Sequence, residues 1–148
     1  MKLVLDLYND LELKEYLLGQ DGINNIDIIN NKHFSEVVID YDKEVTTFII
    51  YKYIELFCSE NGVPLISFDK NSNYDVKKLE YVVEDMCCEY CYKDLVENLF
   101  LNDNIKSVKS NFDYKNLYNV KFIIEYNKDY NEEELIEFIK NKVNCNYY

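Results

Sequence analysis

The spacing of apolar positions in the second half of the chain changes in a definite order. Leu79 to Val83 is a β-rich run, and Leu95, Val96 and Leu99 then recur every three to four residues, the period of one buried helix face. Asn102-Asp103-Asn104 ends that helix. Ile105 to Phe112 and Val120 to Tyr126 read as strands, separated by the polar reversal Asp113-Tyr114-Lys115-Asn116. Asn131 is placed to cap a last helix, with Glu132, Glu133 and Glu134 at the positive end of its dipole and Leu135, Ile136, Ile139 and Val143 as its buried stripe. The expected order is β-α-β-β-α.

The first half repeats it. Lys2 to Tyr8 predicts a strand, Asp10 to Leu18 a short helix stopped by Gly19-Gln20-Asp21-Gly22, and Ile23 to Ile29 and Phe34 to Tyr41 two further strands. Lys43 to Glu60 predicts a long helix with Ile50, Ile54 and Phe57 at core spacing, ended by Asn61-Gly62, and Pro64 to Phe68 a fourth strand. Between the halves, Asp69 to Lys77 is the longest polar stretch without helix or strand periodicity. The expectation is an α+β chain of two tandem ferredoxin-like (βαββαβ) modules, residues 1–70 and 75–148, the second with a truncated last strand.

Composition narrows the function. The 148 residues are 48% hydrophobic and 30% charged, a globular balance. A formal net charge of −12 argues against a nucleic-acid backbone as ligand, which needs clustered Lys and Arg; it reads first as a solvated acidic surface, and second as a face for a basic protein partner. Met1-Lys2-Leu3-Val4-Leu5 meets Asp6 before a secretory h-region forms, and no apolar run is long enough to insert in a membrane, so a cytoplasmic protein is expected. Three glycines and one histidine leave no phosphate-cradling loop and no Ser/His/Asp arrangement, so no enzyme is expected. His33, in Asn30-Asn31-Lys32-His33, reads as a turn residue.

Five cysteines, an odd number, argue for reduced thiols or thiolate ligands rather than a disulfide framework. Cys87, Cys88 and Cys91 fall where a strand gives way to a helix. The Cys88/Cys91 spacing lets both sulfurs point at one atom. A helix N-terminus lowers thiol pKa from about 8.5, and soft thiolates suit a low-coordinate d¹⁰ ion such as Cu(I). Two sulfurs alone do not complete a tetrahedral zinc site. Cys58, beside Phe57 near a helix end, reads as a small buried hydrophobe.

The stretch Glu80-Tyr81-Val82-Val83-Glu84-Asp85-Met86-Cys87-Cys88-Glu89-Tyr90-Cys91, followed by Asn104 to Asn111 and Glu132 to Ile139, resembles the heavy-metal-associated (HMA) domain family of copper chaperones, amino-terminal domains of copper-transporting P-type ATPases and mercury-binding proteins. The family pattern is Gly-Met-Thr/Ser-Cys-x-x-Cys. The resemblance implies Cys88 and Cys91 as metal ligands, Met86 as the residue packed beneath the loop, and Cu(I) as the cargo, with Zn(II), Cd(II) or Hg(II) as other soft ions. It also implies a metal-handling partner, such as a copper-transporting ATPase, with a basic face to meet Glu84, Asp85, Glu89 and Asp94. Asp85 replaces the family's Gly and Cys87 its Thr or Ser, and Val143-Asn144-Cys145-Asn146-Tyr147-Tyr148 stands where the family has Gly-Tyr and a fourth strand. Cys87 and Cys145 are therefore possible additional ligands, in a site of three or four sulfurs or a shared Cu(I) cluster.

In the first half, taking Ile23 as the equivalent of Ile105 places Asp6 and Asn9 where Cys88 and Cys91 stand. It reads as a degenerate HMA-like copy without the thiol pair. Two other readings of the chain stay open. A Cys-x-x-Cys entering a helix also serves thiol-disulfide exchange, although no proline lies between these cysteines. An acidic interaction module with incidental metal binding is the other.

Overall fold

The computed structural model describes residues 1–5, 10–30, 34–58, 65–86, 89–112 and 118–143. They form an α+β fold of seven strands and four helices: β1 (Lys2–Leu5), α1 (Asp10–Leu18), β2 (Ile23–Asn30), β3 (Ser35–Tyr41), α2 (Thr47–Cys58), β4 (Leu65–Asp69), β5 (Val76–Asp85), α3 (Glu89–Leu101), β6 (Ile105–Ser110), β7 (Tyr118–Asn127) and α4 (Glu132–Val143). The chain divides into two compact units, Met1–Lys70 and Asn71–Tyr148.

In the first unit the strands lie in the order β2-β3-β1-β4. All three contacts are antiparallel, so the short β1 is paired on both sides, Leu3 opposite Val37 and opposite Phe68. Alternation puts Leu3, Leu5, Val37, Ile39 and Phe68 on the buried face, where Leu13 and Leu17 of α1 and Ile50 and Ile54 of α2 are also buried. The rings of Tyr16 and Phe57 join the two helices at 5.5 Å.

Helix α2 starts at Thr47, four residues after the expected Lys43. Val45 N–H donates to Asp42 O at 3.0 Å, closing a turn, and Thr46 Oγ1 accepts from Ile49 N–H at 3.3 Å as the cap. Chain reversal thus consumes Lys43 and Glu44. Gly22 completes this corner with φ 83°, accepting from Asp42 N–H at 2.8 Å; a Cβ there would overlap the Val45 methyl.

In the second unit the order is β6-β7-β5, again antiparallel. Side-chain rows cross the buried face: Val83 with Val120, Tyr81 with Phe122 and Ser110, and Leu79 with Ile124 and Val108. Tyr92, Leu95, Val96, Leu99 and Phe100 of α3 and Leu135 and Ile139 of α4 are buried with them.

Strand β5 runs from Val76 to Asp85, well beyond the expected Leu79 to Val83. Its charged ends are strand because β7 pairs with it from Val76 opposite Asn127 to Asp85 opposite Tyr118. Part of the stretch expected as an irregular boundary is therefore β5. The described residues of this unit contain three strands, and the expected truncated fourth strand falls at 144–148, outside the description.

The N-terminus of α4 matches its expected cap. Asn131 Oδ1 accepts from Glu133 N–H at 2.8 Å and from Glu134 N–H at 3.3 Å, with Glu132, Glu133 and Glu134 in the first turn and Lys140 and Lys142 in the last. Asn131→Ala is expected to cost about 1 kcal/mol. Urea unfolding followed by circular dichroism checks it, and an unchanged midpoint would deny the cap any weight.

Candidate metal centre

β5 delivers the chain to the site. Asp85, paired with Tyr118 at the hairpin end of β7, is its last residue, and Met86 behind it is only 1% exposed. Helix α3 begins at Glu89, so Cys91 lies in its first turn. Cys91 is 3% exposed, and Leu95, one helical turn on, is fully buried, which places both on the inward face.

The next residue anchors that turn. Tyr92 is completely buried and stacks on Phe112, with ring centroids 3.8 Å apart and planes 14° apart, and lies 5.6 Å from Phe122. Its hydroxyl is hydrogen-bonded to Ser110 Oγ at 2.5 Å, and the same oxygen accepts from Phe112 N–H at 3.2 Å. Burial pushes the Tyr92 phenol well above its usual pKa, an effect the Ser110 bond partly offsets. The thiol-bearing turn is thereby pinned to the end of β6.

Helix α4 reaches the same place. Lys142 Nζ lies 3.3 Å from Asp94 Oδ2, three residues beyond Cys91. The end of β5, the β6–β7 end and the last turn of α4 therefore converge around the first two turns of α3. Charge here is mostly negative, with Glu84 and Asp85 exposed. Chemically, a sulfur buried at a helix start and screened from water suits a soft, desolvated cation better than a hydrated one.

Of the residues singled out in the sequence, Cys91 and Met86 are described and buried. Cys87, Cys88, Cys145 and His33 lie outside the described residues, as does the side chain of Cys58 at the end of α2. Among the described residues no group of three or more His, Cys, Asp or Glu side chains is arranged to hold a metal ion. Tyr92, Ser110, Phe112 and Phe122 were not singled out by sequence. Tyr92 continues the apolar stripe of Leu95, Val96 and Leu99, and that spacing was the signal available for it. No local signal pairs it with Ser110, 18 positions away.

No family model matches the chain, and no curated protein matches it. Among solved structures it is similar to the solution structure of the N-terminal soluble domains of Bacillus subtilis CopA, at 17% identity and a TM-score of 0.35, covering 95% of this chain and 88% of that one. No helix among the described residues is long and apolar enough to cross a membrane.

Proposed function

We propose that this chain carries a soft metal ion, Cu(I) foremost, on the thiolates of Cys88 and Cys91, in the manner of an HMA domain, and transfers or buffers it without catalysing a reaction. The observation that supports this most is the placing of Cys91 and Met86. Both are buried, Met86 two residues before the Cys-x-x-Cys motif and Cys91 as its last residue, and the turn of α3 that carries Cys91 is held by the Tyr92 hydrogen bond to Ser110. In this reading the protein binds by ligand exchange, each thiol losing its proton as its sulfur meets the ion.

Both units are read as ferredoxin-like copies of one ancestor. In support, Leu13 and Leu17 precede Ile23 at the same spacing at which Leu95 and Leu99 precede Ile105, and all six are buried. The first copy, with Asp6 and Asn9 at the ligand positions, carries no metal and serves packing or partner contact. The partner is a metal-handling protein with a basic face, such as a copper-transporting ATPase, which would dock on Glu84, Asp85 and Asp94 in the cytoplasm.

X-ray absorption on the reduced, anaerobically loaded protein tests the coordination. One copper per chain, held by two sulfurs at a distance shorter than the roughly 2.3 Å of a Zn–S bond, is the expected result. A third or fourth sulfur at longer distance, lost in Cys87→Ser or Cys145→Ser, would add those thiols to the site. Failure to retain copper, together with reduction of insulin disulfides by the same protein, would replace the carrier reading with an oxidoreductase.

A further inference from the structure

Strand β5 hydrogen-bonds to β7 on one side and is the outermost strand of its unit among the described residues. A ten-residue outer strand whose free-side amides and carbonyls pair with no strand among the described residues is a template for another strand. Its charges are sorted along its length. Lys77 and Lys78 stand near the start, Glu84 and Asp85 at the end, all four exposed, and among the described residues no ion pair or side-chain hydrogen bond engages any of them.

We propose that β5 is a self-association edge, pairing antiparallel with β5 of a second copy about a two-fold axis at Tyr81. In that register Lys77 opposes Asp85 of the copy, Lys78 opposes Glu84, Leu79 opposes Val83, and Glu80 opposes Val82. Each contact occurs twice, so every basic residue of the strand meets an acid. The faces agree as well. Leu79, Tyr81 and Val83 on the buried side meet their counterparts, while Val82, 50% exposed, gains cover on the other side.

The register is selective. Registers that keep each face with its like move in steps that displace the axis by one residue. With the axis at Glu80 that residue meets itself; with the axis at Val82, Glu80 meets Glu84. Both oppose like charges and lose the lysine contacts. In the favoured register Glu80 retains its pairing with Lys121 of β7, at 3.5 Å. The outer strand of the first unit, β2, makes the contrast. Its one charged residue is Asp27, with no basic residue to meet it.

Sedimentation equilibrium on reduced, metal-free full-length protein tests the edge, the reductant and chelator removing disulfide and metal bridges. The expected result is a dimer that weakens with salt. Lys77→Glu/Lys78→Glu and Glu84→Lys/Asp85→Lys should each raise the dissociation constant at least about tenfold. An equimolar mixture of the two variants, and a chain carrying all four changes, should recover the dimer. All these positions are exposed, and circular dichroism confirms that each variant is folded. A protein still monomeric at ~100 μM, where any dimer with a dissociation constant below that would be populated, would overturn the proposal. So would a dimer indifferent to charge reversal, or one that appears only when residues 144–148 are removed, which would make the chain's own tail the occupant of the edge.

Discussion

Replacing Cys88 and Cys91 together by serine is expected to abolish tight Cu(I) binding while the chain stays folded. Four-ligand zinc-finger sites bind zinc with roughly 10–16 kcal/mol, on the order of 3 kcal/mol per ligand. Losing both sulfurs of a two-ligand site then removes on the order of 6 kcal/mol, about a ten-thousandfold drop in affinity. Serine in place of the buried Cys91 exchanges a weakly polar thiol for a buried hydroxyl, at a cost of up to about 1–3 kcal/mol. The corresponding alanine pair separates that penalty from loss of the metal. Competition against a Cu(I) chelator, with circular dichroism on each variant, reads both quantities. Equal affinity in the double variant would remove the thiol pair from the proposed function.

The second large effect belongs to Tyr92. Tyr92→Ala removes the ring stacked on Phe112 and beside Phe122, leaves a cavity under the first turn of α3, and strips Ser110 of its buried partner. A loss of about 3–5 kcal/mol is expected, the range for large aromatic side chains in a core. Tyr92→Phe keeps the rings and should lose only about 1–2 kcal/mol, from the hydroxyl contact. Because the folded phenol titrates above its ordinary value of 10.0, the unfolded chain releases that proton first as pH rises. The stability due to this group is complete below pH 10 and declines above it, and Tyr92→Phe should show a smaller alkaline loss than the parent, the raised Tyr74 and Tyr126 phenols keeping theirs. Urea unfolding at neutral and alkaline pH compares the three proteins. A Tyr92→Ala protein as stable as the parent would mean that the aromatic cluster does not support the thiol-bearing turn.

What could be read in the sequence was what neighbouring residues settle among themselves. The cap at Asn131 depends on a side chain reaching amides two and three positions away, and it is found as expected. Helix α1 matches its apolar spacing from Asp10 to Leu18. The burial of Cys91 follows from Leu95 one turn on, and the thiol pair of the proposed site is itself a local motif, Met86 to Cys91. Helix α2 starts later than the expected Lys43, although Lys43 and Glu44 suit a helix on their own. Only the corner formed with Gly22, twenty positions back, takes them for a turn.

Tertiary structure decided the rest, because strand pairing and packing join residues with no sequence relation. Val76, Lys77 and Lys78 carry no β pattern alone and become strand because Asn127, Tyr126 and Glu125 lie opposite them. Ser110 gains its significance only when α3 folds back and sets Tyr92 against it. The charge order along β5, plain in the sequence, acquires a meaning once the topology leaves that strand outermost among the described strands of its unit. Local propensity selects which elements form; the hydrogen-bonding demand of strands and the filling of one core select which residues they bring together.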